Sequence, residues 1–172
     1  MNRDYFRQVA KTTGTQVWVN NPSSSDLKLA IEAGAINGTT NPAYGSKLLK
    51  SEPDYMEPVI DSVINRVADD NQAADEIYQI ISRRFMEGFL PLYESSKGQC
   101  GMVTMQDDPR RDEDPDMIIE STLRHAKVAP NYMAKIPVIE SGIEAMVRLV
   151  EMDIPLCATE IFSIAQATAM CD

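Results

Sequence analysis

Short apolar runs alternate with helical patterns along the chain from residue 16 onward. We predict strands within QVWVN, AINGTT, QCGMVTMQ, YMAKIPV and IPLCATEIF, each followed by at least one helix. Parallel strands need long crossover connections, and these connections are usually helical. The alternation therefore predicts an α/β fold with a parallel sheet.

Two architectures fit five strands of this kind. One is an open doubly wound sheet, and the other is an incomplete (β/α)8 TIM barrel of about five βα units. A complete barrel usually needs about 250 residues, whereas this sequence has 172. An unclosed sheet would leave an edge with unpaired backbone groups, which favours pairing with another chain.

The helical segments have clear signals at their ends. SSSDLKLAIEAG offers Ser or Asp as an N-cap and Gly34 as a stop, and Asp114 precedes the helix in DPDMIIESTLRHAKV. Apolar residues recur at helical spacing over residues 55–67 and 77–85. In SGIEAMVRLVEMD the apolar residues on one side are Ile143, Met146, Val147 and Val150.

Composition excludes several classes of function. The net charge of −10 opposes nucleic-acid binding. No apolar run approaches the roughly 20 residues of a membrane span, and the N-terminus lacks the apolar core of a secretory signal, so we expect a cytoplasmic protein. Three cysteines without CxxC spacing argue against disulfides and a zinc site. We expect the only histidine, His125, to lie at the surface or at a helix end, and QDDPRRDEDPD to form a solvated loop.

Polar residues follow every predicted strand, at the sheet edge where both architectures place their active sites. They are Asn20 and Asn21, Thr40 and Asn41, Gln106, Lys135, and Thr159 and Glu160. Lys135 is unusual because it lies inside the apolar run YMAKIPV, on the strand face of Met133 and Pro137.

Burial can lower the pKa of a lysine from about 10.4 toward roughly 7–8. The neutral amine is then a nucleophile that forms a Schiff base with a carbonyl compound. Alternatively, Lys135 extends its ammonium to solvent or pairs with Glu160 or Glu140, and the residues alone leave both possibilities open. The sequence contains neither GxGxxG nor GxxxxGK[ST], which weakens a third hypothesis, a flavodoxin-like sheet that binds a mononucleotide.

Three segments resemble the transaldolase family: VWVNNPSSSDLKLAIEAGAINGTTNPA, MAKIPVIESGIEAMVRLVEMDIPL and TEIFSIAQA. These enzymes are Schiff-base (β/α)8 barrels, related to the fructose-6-phosphate aldolases, that move a dihydroxyacetone unit between sugar phosphates. The resemblance implies one barrel domain over residues 1–172 that lacks the last strands. It also implies a role in the pentose phosphate pathway and chemistry without a metal or an organic cofactor.

The resemblance carries over to individual residues. Lys135 matches the Schiff-base lysine, Asn41 in TTNP matches a substrate-binding asparagine beside Thr40, and Thr159 matches the threonine of the fifth strand. Asn20 stands where the family usually has an aspartate, and an amide cannot shuttle a proton. Gln106 stands where many members have a glutamate, although fructose-6-phosphate aldolases use glutamine there.

Other departures from the family pattern leave an alternative open. Cys157 replaces a substrate-binding asparagine, Ile139 replaces a threonine after KIP, and the serine and arginine of a sixth strand lie beyond the end of this sequence. We therefore expect a truncated product of a longer protein or a homo-oligomer that covers the open sheet edge. The alternative to the enzyme is a catalytically impaired remnant that binds a sugar or a partner protein.

Overall fold

A computed structural model describes residues 5–171 of the chain. The helices and strands follow in the order α1 (Tyr5–Thr13), β1 (Trp18–Asn20), α2 (Ser24–Ala33), β2 (Asn37–Thr39), α3 (Tyr44–Ser51), α4 (Pro53–Ile64), α5 (Asp70–Ser95), β3 (Val103–Gln106), α6 (Pro115–His125), β4 (Tyr132–Pro137), α7 (Glu140–Val150), β5 (Leu156–Thr159) and α8 (Ile164–Ala169). A short 3-10 helix, Pro109–Arg111, precedes α6. None of these helices is long and apolar enough to span a bilayer.

All five predicted strands are present, each shorter than its apolar run. The α2 prediction is confirmed in detail, since Ser23 and Asp26 form a capping box and Gly34 ends the helix with a left-handed φ of 105°. Neither α1 nor α3 was predicted from the sequence. An Asn-Pro pair precedes α3, but proline disfavours the α conformation only in the residue before it, so a helix can begin shortly afterwards.

The strands form one five-stranded sheet in the order β1-β2-β3-β4-β5. A doubly wound sheet reverses its strand order at a switch point, whereas successive strands of a (β/α)8 barrel are neighbours. The sequential order therefore decides between the two predicted architectures and confirms an incomplete TIM barrel of five strands. The β1–β2 and β4–β5 pairs are parallel, with Lys135 opposite Cys157 in the second pair.

The chain divides within β3 into two compact units, one ending at Val103 and one beginning at Thr104. We refer to them as the first and second units. A single domain over the whole chain stays a prediction.

The core of the first unit is built where α5 packs on β2. Gly38 of β2 leaves room for Phe85, because a Cβ at this position would lie 2.2 Å from the Phe85 Cζ. The Phe85 ring also lies against Tyr44 and Phe89, with centroids 6.0 and 5.8 Å away. Buried aliphatic and methionine side chains complete this core: Leu48, Met56, Val63, Ile81 and Met86.

The second unit packs α6 and α7 against β4. The start of α7 approaches the end of β4 so closely that a Cβ on Gly142 would lie 2.1 Å from the Pro137 carbonyl oxygen. The buried face of α7 contains Gly142, Ala145, Met146 and Leu149. Of the four apolar residues that the sequence places on one side of this helix, only Met146 is buried. Two apolar stripes run along this helix, and the stripe of Ile143, Val147 and Val150 is exposed.

Candidate active site

The ends of β1 and β2 in the first unit are joined by an amide pair. The Asn41 Nδ2 donates to the Asn20 Oδ1 at 3.1 Å, and the Asn41 backbone N–H donates to the Asn21 Oδ1 at 3.0 Å. Asn21 has a left-handed φ of 46°, a conformation that asparagine tolerates better than most residues. These bonds hold three amide side chains at adjacent strand ends, as the sequence predicted for Asn20 and Asn41.

Thr40 lies beneath this amide pair and is fully buried. Its hydroxyl is 2.5 Å from the Tyr78 hydroxyl of α5, a partner that the sequence analysis did not identify. Lys47 of α3 donates to the Asn21 backbone carbonyl at 2.6 Å. The cluster therefore presents amides, groups that both donate and accept hydrogen bonds.

In the second unit, Lys135 is half-buried in the middle of β4. Its strand neighbours Ala134 and Ile136 are buried, so the predicted alternation of faces is confirmed here. Burial lowers the pKa of Lys135, and the neighbouring Cys157 and Glu160 act in the opposite direction. Burial also raises the pKa of the Cys157 thiol. The thiol is therefore neutral at pH 7, and Glu160 supplies the negative charge next to the lysine.

Gln106 and Glu160 connect the ends of β3 and β5. The buried Gln106 side chain donates through Nε2 to the Glu160 Oε1 at 3.1 Å. Glu160 directly follows Thr159, the last residue of β5, and has a left-handed φ of 60°. Such a backbone costs about 1–2 kcal/mol for a residue with a Cβ, so this position is strained. Our sequence analysis named Glu160 as a strand-end residue and as a possible partner of Lys135.

Thr159 and Cys157 are half-buried on β5, opposite Pro137 and Lys135 respectively. The Thr159 backbone carbonyl accepts a hydrogen bond from the Val138 N–H at 2.9 Å, which extends the β4–β5 pairing past the end of β4. The second unit therefore brings Lys135, Gln106, Cys157, Thr159 and Glu160 to neighbouring strands.

The acidic loop after β3 is not wholly solvated, contrary to our expectation. The Asp107 Oδ1 lies 2.8 Å from the Nδ1 of His125, the last residue of α6, and Asp107 Oδ2 accepts a hydrogen bond from the Ser121 hydroxyl. His125 is 1% exposed and is the last residue of α6, so the predicted position at a helix end is confirmed. Asp107 directly follows β3, and this position at a strand end is the sequence feature that could have identified it as a candidate site residue.

Asp112, from the same loop, is a buried carboxyl. Burial, together with the charges of Asp107, Glu160 and Asp108, raises the pKa of Asp112 to about 6. Arg110, in contrast, is an exposed loop charge paired with Asp108, as expected. Within residues 5–171, no group of three or more His, Cys, Asp or Glu side chains could hold a metal ion.

A comparison with protein families identifies the chain. The model of the family described as transaldolase/fructose-6-phosphate aldolase matches residues 17–172. The chain belongs to this family. The match spans both units and all five strands, in agreement with the sequential strand order of the sheet.

Similar family members are named transaldolase. The chain is 28% identical to one from Thiobacillus denitrificans and 29% identical to one from Neisseria gonorrhoeae, over 92% and 91% of its own length. A transaldolase from Mycobacterium ulcerans is 28% identical over 92% of the chain. These alignments cover 46%, 46% and 44% of the relatives, so the chain spans less than half the length of the family members it matches.

Proposed function

We propose that this transaldolase-family chain forms a Schiff base between Lys135 and a ketose phosphate and transfers a dihydroxyacetone unit to an acceptor aldehyde. The observation that carries the proposal is the half-buried Lys135 amine, whose pKa is lowered by burial next to polar strand ends. The substrates would be sugar phosphates of the pentose phosphate pathway. Cleavage without transfer is the closely related lyase activity.

The first half of the reaction needs a neutral amine. The Lys135 nitrogen attacks the ketone carbon, its proton moves to the ketone oxygen, and a carbinolamine forms. Protonation of the new hydroxyl releases water and leaves an iminium ion on Lys135. A lower lysine pKa increases the fraction of neutral amine at pH 7, and each pKa unit changes that fraction about tenfold.

Carbon–carbon cleavage follows from the iminium ion. A base removes the proton from the hydroxyl on the far carbon of the carbon–carbon bond that breaks, and this carbon becomes the carbonyl carbon of the leaving aldehyde. The electron pair of that bond moves to the iminium nitrogen, so an aldehyde leaves and an enamine remains on Lys135. The enamine carbon then attacks the acceptor aldehyde, and hydrolysis of the new iminium ion frees the lysine.

We propose that the neutral polar strand ends bind the sugar hydroxyls. The assigned residues are Asn20, Thr40, Asn41, Gln106, Cys157 and Thr159. The Asn41–Asn20 hydrogen bond supports this role, because a fixed amide directs its remaining donor and acceptor positions. Neither Asn20 nor Gln106 can exchange a proton at neutral pH, so their proposed role is to orient the substrate.

Trapping the intermediate tests the proposal. The protein is incubated with dihydroxyacetone or fructose 6-phosphate and reduced with borohydride, and the modified residue is located by peptide mass spectrometry. We expect one adduct on Lys135, absent in Lys135→Ala. Lys127→Ala removes an exposed lysine of the same unit and should leave the adduct unchanged. A folded wild type without an adduct, or an adduct that persists in Lys135→Ala, would disprove the proposal.

We further propose that the chain forms a cytoplasmic homo-oligomer in which a second copy covers the apolar surface near β5. Phe162 and Ile164 are 86% and 87% exposed, and the stripe of Ile143, Val147 and Val150 on α7 adds to this surface. β5 is also an edge strand of the sheet. Sedimentation equilibrium should show an oligomer that Val147→Glu weakens. A monomeric wild type would contradict this assembly.

A further inference from the structure

We propose that Glu160 is the acid–base residue of the Lys135 reaction. This inference rests on the proposed Schiff-base function and adds a group that the family resemblance does not supply. The chemistry needs a residue that accepts and returns protons next to the iminium ion. The amides of Asn20 and Gln106 cannot do so, whereas a carboxylate can.

The position of Glu160 in the second unit suits this task. β5 is the neighbour of β4, with Cys157 opposite Lys135, and Glu160 comes three residues after Cys157, directly after the end of β5. The charge of its carboxylate acts on Lys135 and raises the pKa of the lysine. The lysine and the carboxylate therefore belong to the same cluster, at adjacent strands and toward the same edge of the sheet.

Gln106 fixes the orientation of the carboxylate. The buried amide donates from Nε2 to the Glu160 Oε1 at 3.1 Å. A carboxylate has lone pairs on both oxygens, so a second partner can be engaged while this bond is kept. Gln106 is a positioning residue in this arrangement, and Glu160 exchanges the proton.

The backbone at Glu160 supports a functional reason for the residue. Its φ of 60° is rarely adopted by residues with a side chain, and glycine would remove the strain. Strain of this kind tends to occur at functional sites, where the surrounding structure compensates for it. A glutamate at such a position places its carboxylate where a relaxed backbone would not.

Asp112 is the competing carboxyl in the second unit. It is 8% exposed, and the charge of Glu160 acts on it. Glu160, by contrast, is exposed and can meet a substrate directly. Replacing each carboxyl separately therefore distinguishes the exposed residue from the buried one.

A partial reaction tests this role independently of cleavage and of any phosphate group. When dihydroxyacetone forms the iminium ion on Lys135, a base can remove a proton from the adjacent hydroxymethyl carbon, and the electron pair of that C–H bond moves to the nitrogen. The enamine then takes a deuteron from heavy water at the same carbon. Loss of the dihydroxyacetone proton signal in an NMR spectrum measures this exchange, with Lys135→Ala as the background.

Glu160→Gln retains an oxygen that can accept the Gln106 hydrogen bond and removes only the charge. We expect its exchange rate to fall by about 10²-fold or more, the usual size of acid–base assistance. Its Lys135 adduct at long incubation should persist, because a base changes the rate rather than the equilibrium. Glu151→Gln, at an exposed carboxylate of the same unit, and Asp112→Asn should exchange at the wild-type rate. The double variant Gln106→Glu/Glu160→Gln returns a carboxylate to the pair and should recover part of the exchange.

The outcomes separate the two proposals. Without a wild-type adduct, the Schiff-base function fails, and the role of Glu160 fails with it. With a wild-type adduct, three results would overturn the role of Glu160 alone: no exchange in the wild type, wild-type exchange in Glu160→Gln, or loss of exchange in Asp112→Asn but not in Glu160→Gln.

Discussion

The two units present different chemistry at the ends of their strands. In the first unit, Asn20, Asn21 and Asn41 hold one another through amide hydrogen bonds. In the second unit, burial shifts the pKa values of Lys135 and Asp112, and Glu160 accepts a hydrogen bond from Gln106. The same βα architecture therefore carries an amide cluster in one unit and a titratable cluster in the other.

The difference shows where each kind of residue is tolerated. A neutral amide needs only hydrogen-bond partners, and its neighbours at the next strand end supply them. A buried charge is costly, and its pKa shifts toward the neutral form. A lysine with a lowered pKa is the better candidate for nucleophilic attack. The amide cluster is the better candidate for binding.

The largest effect should come from the pH dependence of Lys135. Burial lowers the pKa of this lysine, so the neutral amine predominates from a lower pH than for an exposed lysine. We expect the rate of adduct trapping to rise about tenfold per pH unit and to level off below pH 10.5, the ordinary lysine value. Trapping rates from pH 6 to 11 measure the midpoint.

Cys157→Ser provides a control for this profile, because Cys157 acts to raise the pKa of Lys135. The midpoint should not rise in that variant. A rate that continues to rise beyond pH 10.5 would contradict the shifted lysine.

The second effect concerns how closely a glycine in a helix packs against the neighbouring element in each unit. Gly142→Ala in α7 would place a Cβ 2.1 Å from the Pro137 backbone oxygen, and we expect a loss of about 3 kcal/mol because backbone cannot move aside easily. Gly45→Ala in α3 of the first unit meets only the Ile81 Cδ1 at 3.8 Å. This control should be neutral or stabilising by about 0.5–1 kcal/mol. Urea unfolding measures both variants, and equal stabilities would refute the prediction.

Asp112 should destabilise the folded chain at neutral pH. Its folded pKa of about 6 lies above the ordinary aspartate value of 3.8, so the folded state holds the proton more strongly. The contribution of this carboxyl to stability is therefore fully retained below pH 3.8 and is lost as the pH rises through 6. Asp112→Asn should be more stable by about 1–3 kcal/mol at pH 8, with the advantage gone by pH 4.

Urea unfolding of Asp112→Asn and wild type at these two pH values provides the measurement. An advantage of the same size at both would show that the effect is unrelated to ionisation. Glu113→Gln, at an exposed carboxylate next along the chain, should show no such pH dependence.

The smallest effect should come from the amide cluster. Asn41→Ala removes the bond to Asn20 and a group proposed to bind sugar hydroxyls. One hydrogen bond contributes about 0.5–1.5 kcal/mol, so the dihydroxyacetone concentration at half-saturation should rise by about tenfold at most. The pH midpoint of trapping should not move. A shifted midpoint, or complete loss of the adduct, would contradict a pure binding role.

Much of the fold follows from local sequence patterns. The apolar runs located all five strands, and the capping residues Ser23 and Asp114 marked the starts of α2 and α6. The two missed helices had weaker signals. α3 begins at Tyr44 without a side-chain cap, and α1 has no buried residue to produce a core-facing stripe.

The site was predicted only in part. Lys135 was apparent because a lysine inside an apolar run is rare, and Asn41 and Thr159 were apparent because they follow strands and match family motifs. The partners of these residues were harder to find. Tyr78 and His125 are distant in sequence from the groups they contact. Asp107 lies in a charged segment that is typical of a loop. Their burial depends on packing, which a pattern along one segment does not record.

The sequence by itself determined the alternation of strands and helices, the order of polar residues at the strand ends and the membership of the transaldolase family. These features depend on residues that are close together in the sequence. Only the tertiary structure decided the strand order, the exposed side of α7 and the buried carboxyl of Asp112. It also decided the Gln106–Glu160 bond, which spans 54 residues of chain. The physical reason is that burial and pairing between distant segments set both the pKa values and the hydrogen-bond partners of the side chains.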